Sequence, residues 1–262
     1  MAGRRAAERP RLVKPDEATA QGPPPRRDRA SLAELAYERI EDLIVDCELR
    51  PGRFLSLQDL GEITGLSRTP VHQAVGRLAD DTLILVRPRH GLQIAPVDLA
   101  RERTLLDLRR DIERFVIRLA AERSGSSQRN QLLHLERTLR ERRDTMNVAE
   151  FNAIDRRINR LTLAAAGERF LEHTLRPLHT IFRRIGWIYH TQTGGGGEAS
   201  LRATLDRHLA LASAVANRHV EAAVAASDDL IDLVADMLDV LEREADPALL
   251  DCSLEPLIPA RP

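Results

Sequence analysis

Apolar residues in the stretch 67–78 recur at helical spacing. They stand at i, i+3, i+4 and i+7 and would form one stripe along a helix: Val71, Ala74, Val75 and Leu78. Ser67 stands where a helix is capped, and Pro70 falls in the first turn, where a missing N–H costs nothing. The opposite face is polar and contains no carboxylate: Arg68, Thr69, His72, Gln73 and Arg77. Two interpretations stay open, an ordinary amphipathic surface helix and a helix whose polar face enters the major groove of DNA.

The flanking sequence favours the second interpretation. Residues 56–64 (SLQDLGEIT) predict another short helix, and Gly65 follows it where a left-handed C-cap is needed. Two helices joined by so short a turn are typical of a helix-turn-helix. Downstream, the strand-like runs 83–86 and 92–95 flank the basic segment Arg87-Pro88-Arg89-His90-Gly91. This pattern predicts a β-hairpin with a basic tip, the wing of a winged helix.

The run GLSRTPVHQAVGRLADDTLILVRPRHGLQIAPV closely resembles the winged-helix domain of the GntR family of bacterial transcription regulators. The segment from Leu105 to Ala121 resembles the start of the all-helical C-terminal domain of the FadR subfamily. Together the resemblance covers roughly residues 31–244. It implies a mainly α protein, in which a winged helix-turn-helix precedes a bundle of six or seven helices.

The resemblance also implies a set of DNA contacts on the second helix and the wing. Carried over to matching positions, they are Arg68, Thr69, Pro70, His72, Gln73, Arg77, Arg89 and Gly91. This chain departs from the family at two positions. The family usually has Arg where His72 stands, and often Arg or Glu where Gln58 stands.

The chain divides into four segments. Residues 1–30, rich in Arg, Pro and Gly, read as a disordered tail. Ser31 and Glu34 form a capping box that predicts the start of the DNA-binding domain, residues 31–97. Residues 98–246 form the predicted effector-binding and dimerisation domain, and 247–262 a second tail. Within that domain, periodicity predicts six helices: 99–123, 128–144, 148–166, 168–191, 198–217 and 219–244.

Charge and composition add little to the evidence for DNA binding. The formal net charge of the 262-residue chain is −1, but residues 68–91 carry four arginines and two aspartates, a local charge of +2. Cys47 and Cys252 are the only cysteines and are far apart, which fits a reducing compartment. No stretch is apolar for the ~18 residues of a membrane span. We therefore expect a cytoplasmic protein that does not bind membranes.

The helical domain contains a partial version of the family's metal site. Asp155 and Asn159 lie four residues apart on one helix face, and His208 lies on a later helix. The resemblance implies that Asp155 and His208 are metal ligands, whereas Asn159 and Leu230 stand where the family has imidazoles. An amide oxygen is a weak ligand for zinc or nickel. Two alternatives remain, a hard cation held by oxygen atoms and a metal-free polar cluster lining a ligand cavity.

Arg109 has two interpretations. The family often has an inward-facing arginine there, which would bind a carboxylate ligand bidentately. A surface ion pair with Glu113, four residues later, is the alternative. The predicted effector site therefore consists of Arg109, Asp155, Asn159 and His208.

These features predict a ligand-responsive transcription regulator, a repressor that binds a palindromic operator as a homodimer and responds to a small carboxylate metabolite. The absence of a placed Ser or Cys nucleophile argues against an enzyme. Two alternatives remain: a DNA-binding protein without an effector, and a metal-dependent enzyme built on the helical bundle.

Overall fold

The computed structural model describes residues 26–250. In that range the chain forms nine α-helices, three short strands and one 3₁₀ turn. The N-terminal part consists of three helices and a three-stranded sheet: α1 Arg26–Val45, β1 Phe54–Leu55, α2 Leu57–Thr64, α3 Arg68–Asp80, β2 Ile84–Arg87 and β3 Gly91–Ile94. This is the predicted winged helix-turn-helix.

Local chemistry sets the ends of α2 and the turn into α3. The Ser56 side chain accepts a hydrogen bond from the Asp59 backbone, and the Asp59 carboxylate accepts one from the Ser56 N–H, a reciprocal capping box. Gly65 ends α2 in the left-handed conformation at φ 66°, which confirms its predicted role. Ser67 occupies the N-cap position of α3 in extended conformation, although its side chain makes no capping hydrogen bond.

The wing is an antiparallel hairpin of β2 and β3, with β1 added on the other side of β3. Ile84 pairs with Ile94 and Arg87 with Gly91, so the strands are shifted by one residue from the predicted runs. Strand β1 is absent from the predicted elements. Two residues are too few to show an alternating pattern, and only pairing with β3 makes them a strand.

The winged-helix core contains the predicted apolar face of α3 together with side chains of α1, α2 and the sheet. Val71, Ala74 and Leu78 are fully buried, which confirms the periodicity. Ile181, which belongs to the second domain, packs into the same core. The two domains therefore share apolar contacts.

The second domain is a bundle of six helices: α4 Leu99–Arg123, α5 Ser126–Arg142, α6 Val148–Ala166, α7 Arg169–Gln192, α8 Glu198–Ala216 and α9 Val220–Glu244. The predicted boundaries are within two residues of these. Helix α4 packs against α6, α7 and α9, and α8 packs against α5 and α9. Helix α7 also contacts α1, so it forms part of the junction between the domains.

The structure corrects the predicted chain ends. Helix α1 begins at Arg26, five residues before the predicted capping box at Ser31, because the preceding Arg and Ala residues favour helix. At the other end, Pro247–Leu249 form a 3₁₀ turn with Leu249 buried, and Leu250 pairs with Val97. Apart from these segments, the predicted tails and Cys252 lie outside the described residues. Over residues 26–250, no helix has an apolar stretch that could cross a bilayer.

Candidate nucleic-acid interface and buried polar cavity

The outward face of α3 keeps four of the predicted contact residues exposed: Arg68, Thr69, His72 and Gln73. Its inward face is held by the apolar stripe in the winged-helix core. The exposed side chains are hydrogen-bond donors or dual donor–acceptors, which is the chemistry needed to read base edges. The structure therefore presents this part of the predicted surface to solvent.

Pro70 and Arg77 do not belong to that exposed face. Pro70 is buried in the first turn of α3. Arg77 turns back toward α1, where its Nη1 donates to Glu34 at 2.6 Å and its guanidinium lies 4.3 Å from the centre of the Tyr37 ring. Their prediction as DNA contacts does not fit this geometry. An arginine on the polar half of a helix can bind protein or DNA, and periodicity alone does not distinguish the two.

The wing tip adds exposed cationic groups beside α3. Arg87, Arg89 and His90 are exposed, and Arg87 donates from Nε to Gln93 at 2.9 Å. Gly91 has φ 91°, and a Cβ there would lie 2.9 Å from the Leu55 carbonyl oxygen. Gly91 therefore allows β1 to approach β3 and so supports the tip, a structural reason for glycine at this position.

The helical bundle encloses a polar cavity of about 50 Å³ between α4, α6, α7, α8 and α9. All four predicted effector residues line it: Arg109, Asp155, Asn159 and His208. Further lining residues come mainly from α7, including His179, Arg183 and His190. The cavity thus brings together the residues that the sequence placed on three different helices.

Asp155 is the centre of the first hydrogen-bonded cluster in this cavity. Its Oδ1 accepts from the Asn159 amide at 3.0 Å and lies 3.2 Å from His208 Nε2. His208 Nδ1 lies 2.8 Å from the Thr204 carbonyl oxygen, which can only accept. Both ring nitrogens of His208 therefore face oxygen atoms that can accept a hydrogen bond. Burial would raise the pKa of Asp155, but the His208 hydrogen bond and the nearby positive charges lower it below its ordinary value.

This cluster does not fit a transition-metal centre. Asn159 directs its amide N–H toward Asp155, and Leu230 lines the wall where the family's further imidazole would stand. Nowhere in residues 26–250 do three His, Cys, Asp or Glu side chains converge as metal ligands do. Asp155 and His208 satisfy each other instead. Two donors in direct contact are too few for a zinc site, which needs at least three protein ligands.

Arg109 forms the predicted ion pair with Glu113, but the pair is buried. Arg109 Nε donates to Glu113 Oε2 at 2.5 Å, and Glu113 Oε1 lies 3.1 Å from His179 Nε2. Burial opposes ionisation of Glu113, yet the charges of Arg109 and His179 hold its pKa well below the ordinary range. Arg109 also lies 5.3 Å from the centre of the Phe182 ring and lines the cavity. The structure thus combines the two interpretations of this arginine.

Two further functional candidates on α7, Arg183 and His190, were not part of the predicted effector site. Nε and Nη1 of Arg183 are buried without a hydrogen-bond partner among the described residues. His190 donates from Nε2 to the Thr204 hydroxyl (3.2 Å), because that hydroxyl itself donates to the Ser200 carbonyl oxygen. Burial lowers the pKa of His190 to about 4, so its Nδ1 is an acceptor. The spacing of His179, Arg183 and Trp187 on one face of α7 was the available signal, although Trp187 is half-buried and does not line the cavity.

A solvent-facing helix and basic wing on one domain, joined to a helical domain with a polar cavity, define a two-domain DNA-binding regulator. Residues 32–94 match the family model described as bacterial regulatory proteins, gntR family, and residues 104–233 match the FCD domain. The chain belongs to the GntR family and, by its FCD domain, to the FadR subfamily. It is a DNA-binding transcription regulator and not an enzyme.

Relatives and solved structures agree with this assignment. The chain is 29% identical over 155 residues to the HTH-type transcriptional repressor RspR of Escherichia coli K12, covering 58% of this chain and 67% of that protein. Escherichia coli McbR/YncC has a similar fold, with a TM-score of 0.67 at 18% identity over 79% of this chain and 97% of that one. A putative GntR regulator from Rhodococcus sp. RHA1 has a TM-score of 0.59 at 20% identity, covering 80% and 98% of the two chains. At these identities the two structures support the fold alone.

Proposed function

We propose that this protein is a ligand-responsive repressor, which binds a near-palindromic operator as a homodimer and is released from it by a small carboxylic acid. The observation that carries the proposal is the presence, in one chain, of an exposed donor-rich α3 face and a buried cavity with unsatisfied arginine donors. The relative RspR is named a repressor, which supports this sign of regulation. The cytoplasm, where the chromosome lies, is the expected compartment.

Operator recognition rests on α3 and the wing. Arg68, His72 and Gln73 are exposed along successive turns of α3 and suit contacts with base edges. Thr69, also exposed, and Arg89 at the wing tip suit phosphate contacts. Pro70, Arg77 and Gly91 would contribute by holding this surface in shape.

We expect a dimer because one recognition helix contacts only a short stretch of DNA sequence. A single short helix contacts only a few base pairs, so useful specificity needs two half-sites related by a two-fold axis. Leu108 and Phe115 on α4 are 50% and 55% exposed, and their spacing of seven residues places them on one helix face. We propose this face as part of the homodimer interface. A Phe115→Glu variant that remains dimeric in analytical ultracentrifugation would rule out this placement.

The proposed effector is a small acid that occupies the bundle cavity. Arg109 offers a cationic guanidinium, and the Nε2 N–H of His208, which Asp155 and Asn159 orient, would be shared between Asp155 and the bound acid. Arg183 contributes further donors, and the acceptor nitrogen of His190 suits a hydroxyl or amine on the same ligand. A carboxylate binds most favourably where the charged donors of the site have already been removed from water. The cavity chemistry therefore favours a carboxylic acid that also carries a hydrogen-bond donor.

The test begins with selection of a bound duplex from a random DNA pool by the wild-type protein. Fluorescence anisotropy then measures the affinity for that duplex in the presence and absence of a panel of small carboxylic acids. We expect one bound dimer per palindromic duplex and a weaker affinity with at least one acid. Selection of no sequence would contradict operator binding, and a complete lack of response to the panel would contradict the effector class.

A further inference from the structure

Arg183 lies between two cavities of the molecule. On one side it lines the bundle cavity described above. On the other it lines a second cavity of about 330 Å³, here named the interdomain cavity, which lies between α1 of the DNA-binding domain and α6 and α7 of the bundle. Charged groups dominate the walls of the interdomain cavity: Glu34, Glu38, Glu41, Arg156, Arg160 and Arg176. Arg183 is thus shared by the two cavities.

The hydrogen bonds of Arg183 are divided unevenly. Its Nη2 donates to Glu41 Oε1 at 3.2 Å and to the Thr180 hydroxyl oxygen at 3.0 Å. Nε and Nη1 have no hydrogen-bond partner within residues 26–250, although the residue is only 7% exposed. Burying a guanidinium with two unsatisfied donor nitrogens destabilises the folded protein. An anion beside it would accept hydrogen bonds from these nitrogens and would therefore bind strongly.

Glu41 connects this guanidinium to the DNA-binding domain. It is 2% exposed on α1 and accepts a 2.5 Å hydrogen bond from the Thr180 hydroxyl. Arg156 Nε lies 3.6 Å from its second oxygen. Helix α1 packs directly against α3, and Arg77 of α3 pairs with Glu34 of α1. A change at Glu41 therefore reaches the recognition helix through one packed element.

We propose that Arg183 couples the bundle cavity to the DNA-binding domain by exchanging partners. In the ligand-free protein its Nη2 holds Glu41, which fixes the position of α1. An anion in the bundle cavity draws the guanidinium toward itself and weakens this hydrogen bond. The proposal rests on the proposed function in taking the effector to be an anion, and it adds the residue pair through which binding is transmitted.

Thermodynamic linkage gives this exchange measurable consequences. If the anion and Glu41 compete for one guanidinium, removal of the Glu41 charge strengthens anion binding. The same change leaves α1 less firmly placed, which alters operator affinity without any ligand. Coupling between two sites is reciprocal, so loss of the pair also removes the effect of the anion on DNA binding.

The experiment compares wild type with Glu41→Gln and with the matched control Glu38→Gln. Glu38 lies one turn earlier on α1 and pairs with Arg160 of α6 at 2.5 Å, so its variant breaks a neighbouring interdomain ion pair that does not involve Arg183. Operator affinity is measured by anisotropy with the selected duplex. Binding of sodium acetate, with sodium chloride at equal ionic strength as reference, is followed by the fluorescence of Trp187, the only Trp, one turn from Arg183 on α7.

We expect Glu41→Gln to weaken operator binding about 5-fold or more and to strengthen acetate binding by a similar factor, with operator affinity no longer responding to acetate. Glu38→Gln should remain within about 2-fold of wild type in both measurements. Arg183→Met should lose acetate binding. Glu41→Asp, one methylene shorter, provides a second variant if Glu41→Gln unfolds, and should change both affinities in the same directions.

The possible outcomes separate the two proposals. A Glu41→Gln protein with wild-type operator affinity and an unchanged acetate response overturns the coupling. Equal effects of Glu41→Gln and Glu38→Gln do so as well, because any interdomain ion pair would then suffice. A wild-type protein that binds no acetate contradicts the effector class, while a selective effect of Glu41→Gln on operator affinity would still support the coupling.

Discussion

The two domains place their charged residues in opposite ways. In the winged helix the interior is apolar, and the donors of α3 and of the wing face solvent. In the bundle, carboxylates, arginines and histidines lie inside, and Glu113, Asp155 and Arg183 are each at most 7% exposed. The first arrangement suits a large external polyanion, and the second suits a small ligand that must leave water.

This contrast shows that polar residues have a different energetic role in each domain. An exposed donor on α3 has water as its partner until DNA arrives, so its removal changes binding more than stability. A buried charge in the bundle depends on a protein partner, so its removal leaves another charge unsatisfied.

Glu113→Gln should destabilise the protein by about 3–5 kcal/mol, because it leaves Arg109 and His179 without their buried carboxylate. Urea unfolding measures this change. Asp206→Asn removes the partner of Arg143 from an exposed ion pair and should leave the midpoint nearly unchanged. If the two variants unfolded at the same urea midpoint, buried and exposed charges would not differ in their contribution to stability, contrary to the prediction.

Glu102→Gln should remove one pH-dependent contribution to the stability of the protein. Glu102 is fully buried on α4 beside Arg184, and burial raises its pKa to about 7 against the opposing charges of Arg184 and Arg101. The folded state therefore holds the proton more tightly than the unfolded chain. The stabilisation that Glu102 provides by binding this proton is complete below about pH 4.5 and is lost as pH rises through about 7. The change amounts to about 3 kcal/mol, at ~1.4 kcal/mol for each unit of pKa difference between the folded and unfolded states.

Chemical unfolding at several pH values between 4.5 and 8 measures this slope. Relative to Glu102→Gln, the wild-type protein should lose stability across that interval. The two proteins must be compared because His190, whose pKa burial lowers to about 4, adds stability as pH rises toward 6.5, and does so in both. A stability difference between them that stays constant would mean that Arg184, which also donates to the Ala95 carbonyl oxygen at 2.7 Å, keeps Glu102 ionised throughout.

Arg68→Ala should weaken operator binding by about 1–3 kcal/mol if Arg68 contacts a guanine edge, and should change stability by less than about 0.5 kcal/mol. Anisotropy and urea unfolding on the same samples separate the two effects. Arg169→Ala, which removes an exposed arginine from the bundle, controls for the loss of one positive charge. Identical operator affinities of Arg68→Ala and wild type would exclude Arg68 as a contact.

Arg77→Ala should show the reverse pattern on the same helix. Loss of the Glu34 ion pair and of the contact with the Tyr37 ring should cost about 1 kcal/mol of stability. Operator affinity should change less than it does in Arg68→Ala. A full loss of DNA binding at unchanged stability would return Arg77 to the group of DNA contacts.

Local sequence signals account for most of the secondary structure, apart from β1 and the start of α1, and for the polar residues that α3 exposes. The apolar stripe of α3, the cap at Gly65 and the breaks between bundle helices are local signals, and each depends on residues a few positions apart. The exposure of His72 and Gln73 follows from the same periodicity, because side chains away from a buried stripe face outward. Arg68 is exposed because it is the first residue of α3. The placement of Asp155 and Asn159 on one face of α6 is equally local.

Which polar residues meet across the chain depends on how the helices pack. Arg77 lies on the polar half of α3, and it is the position of α1 that gives this arginine a protein partner. Arg183 and Glu41 lie on helices of different domains, and Glu113 meets His179 only because α4 packs against α7. Periodicity shows whether a helix face is apolar or polar, but the burial of a charge depends on what packs over it. Long-range packing therefore selected the polar residues that line the bundle cavity and the one arginine that it shares with the DNA-binding domain.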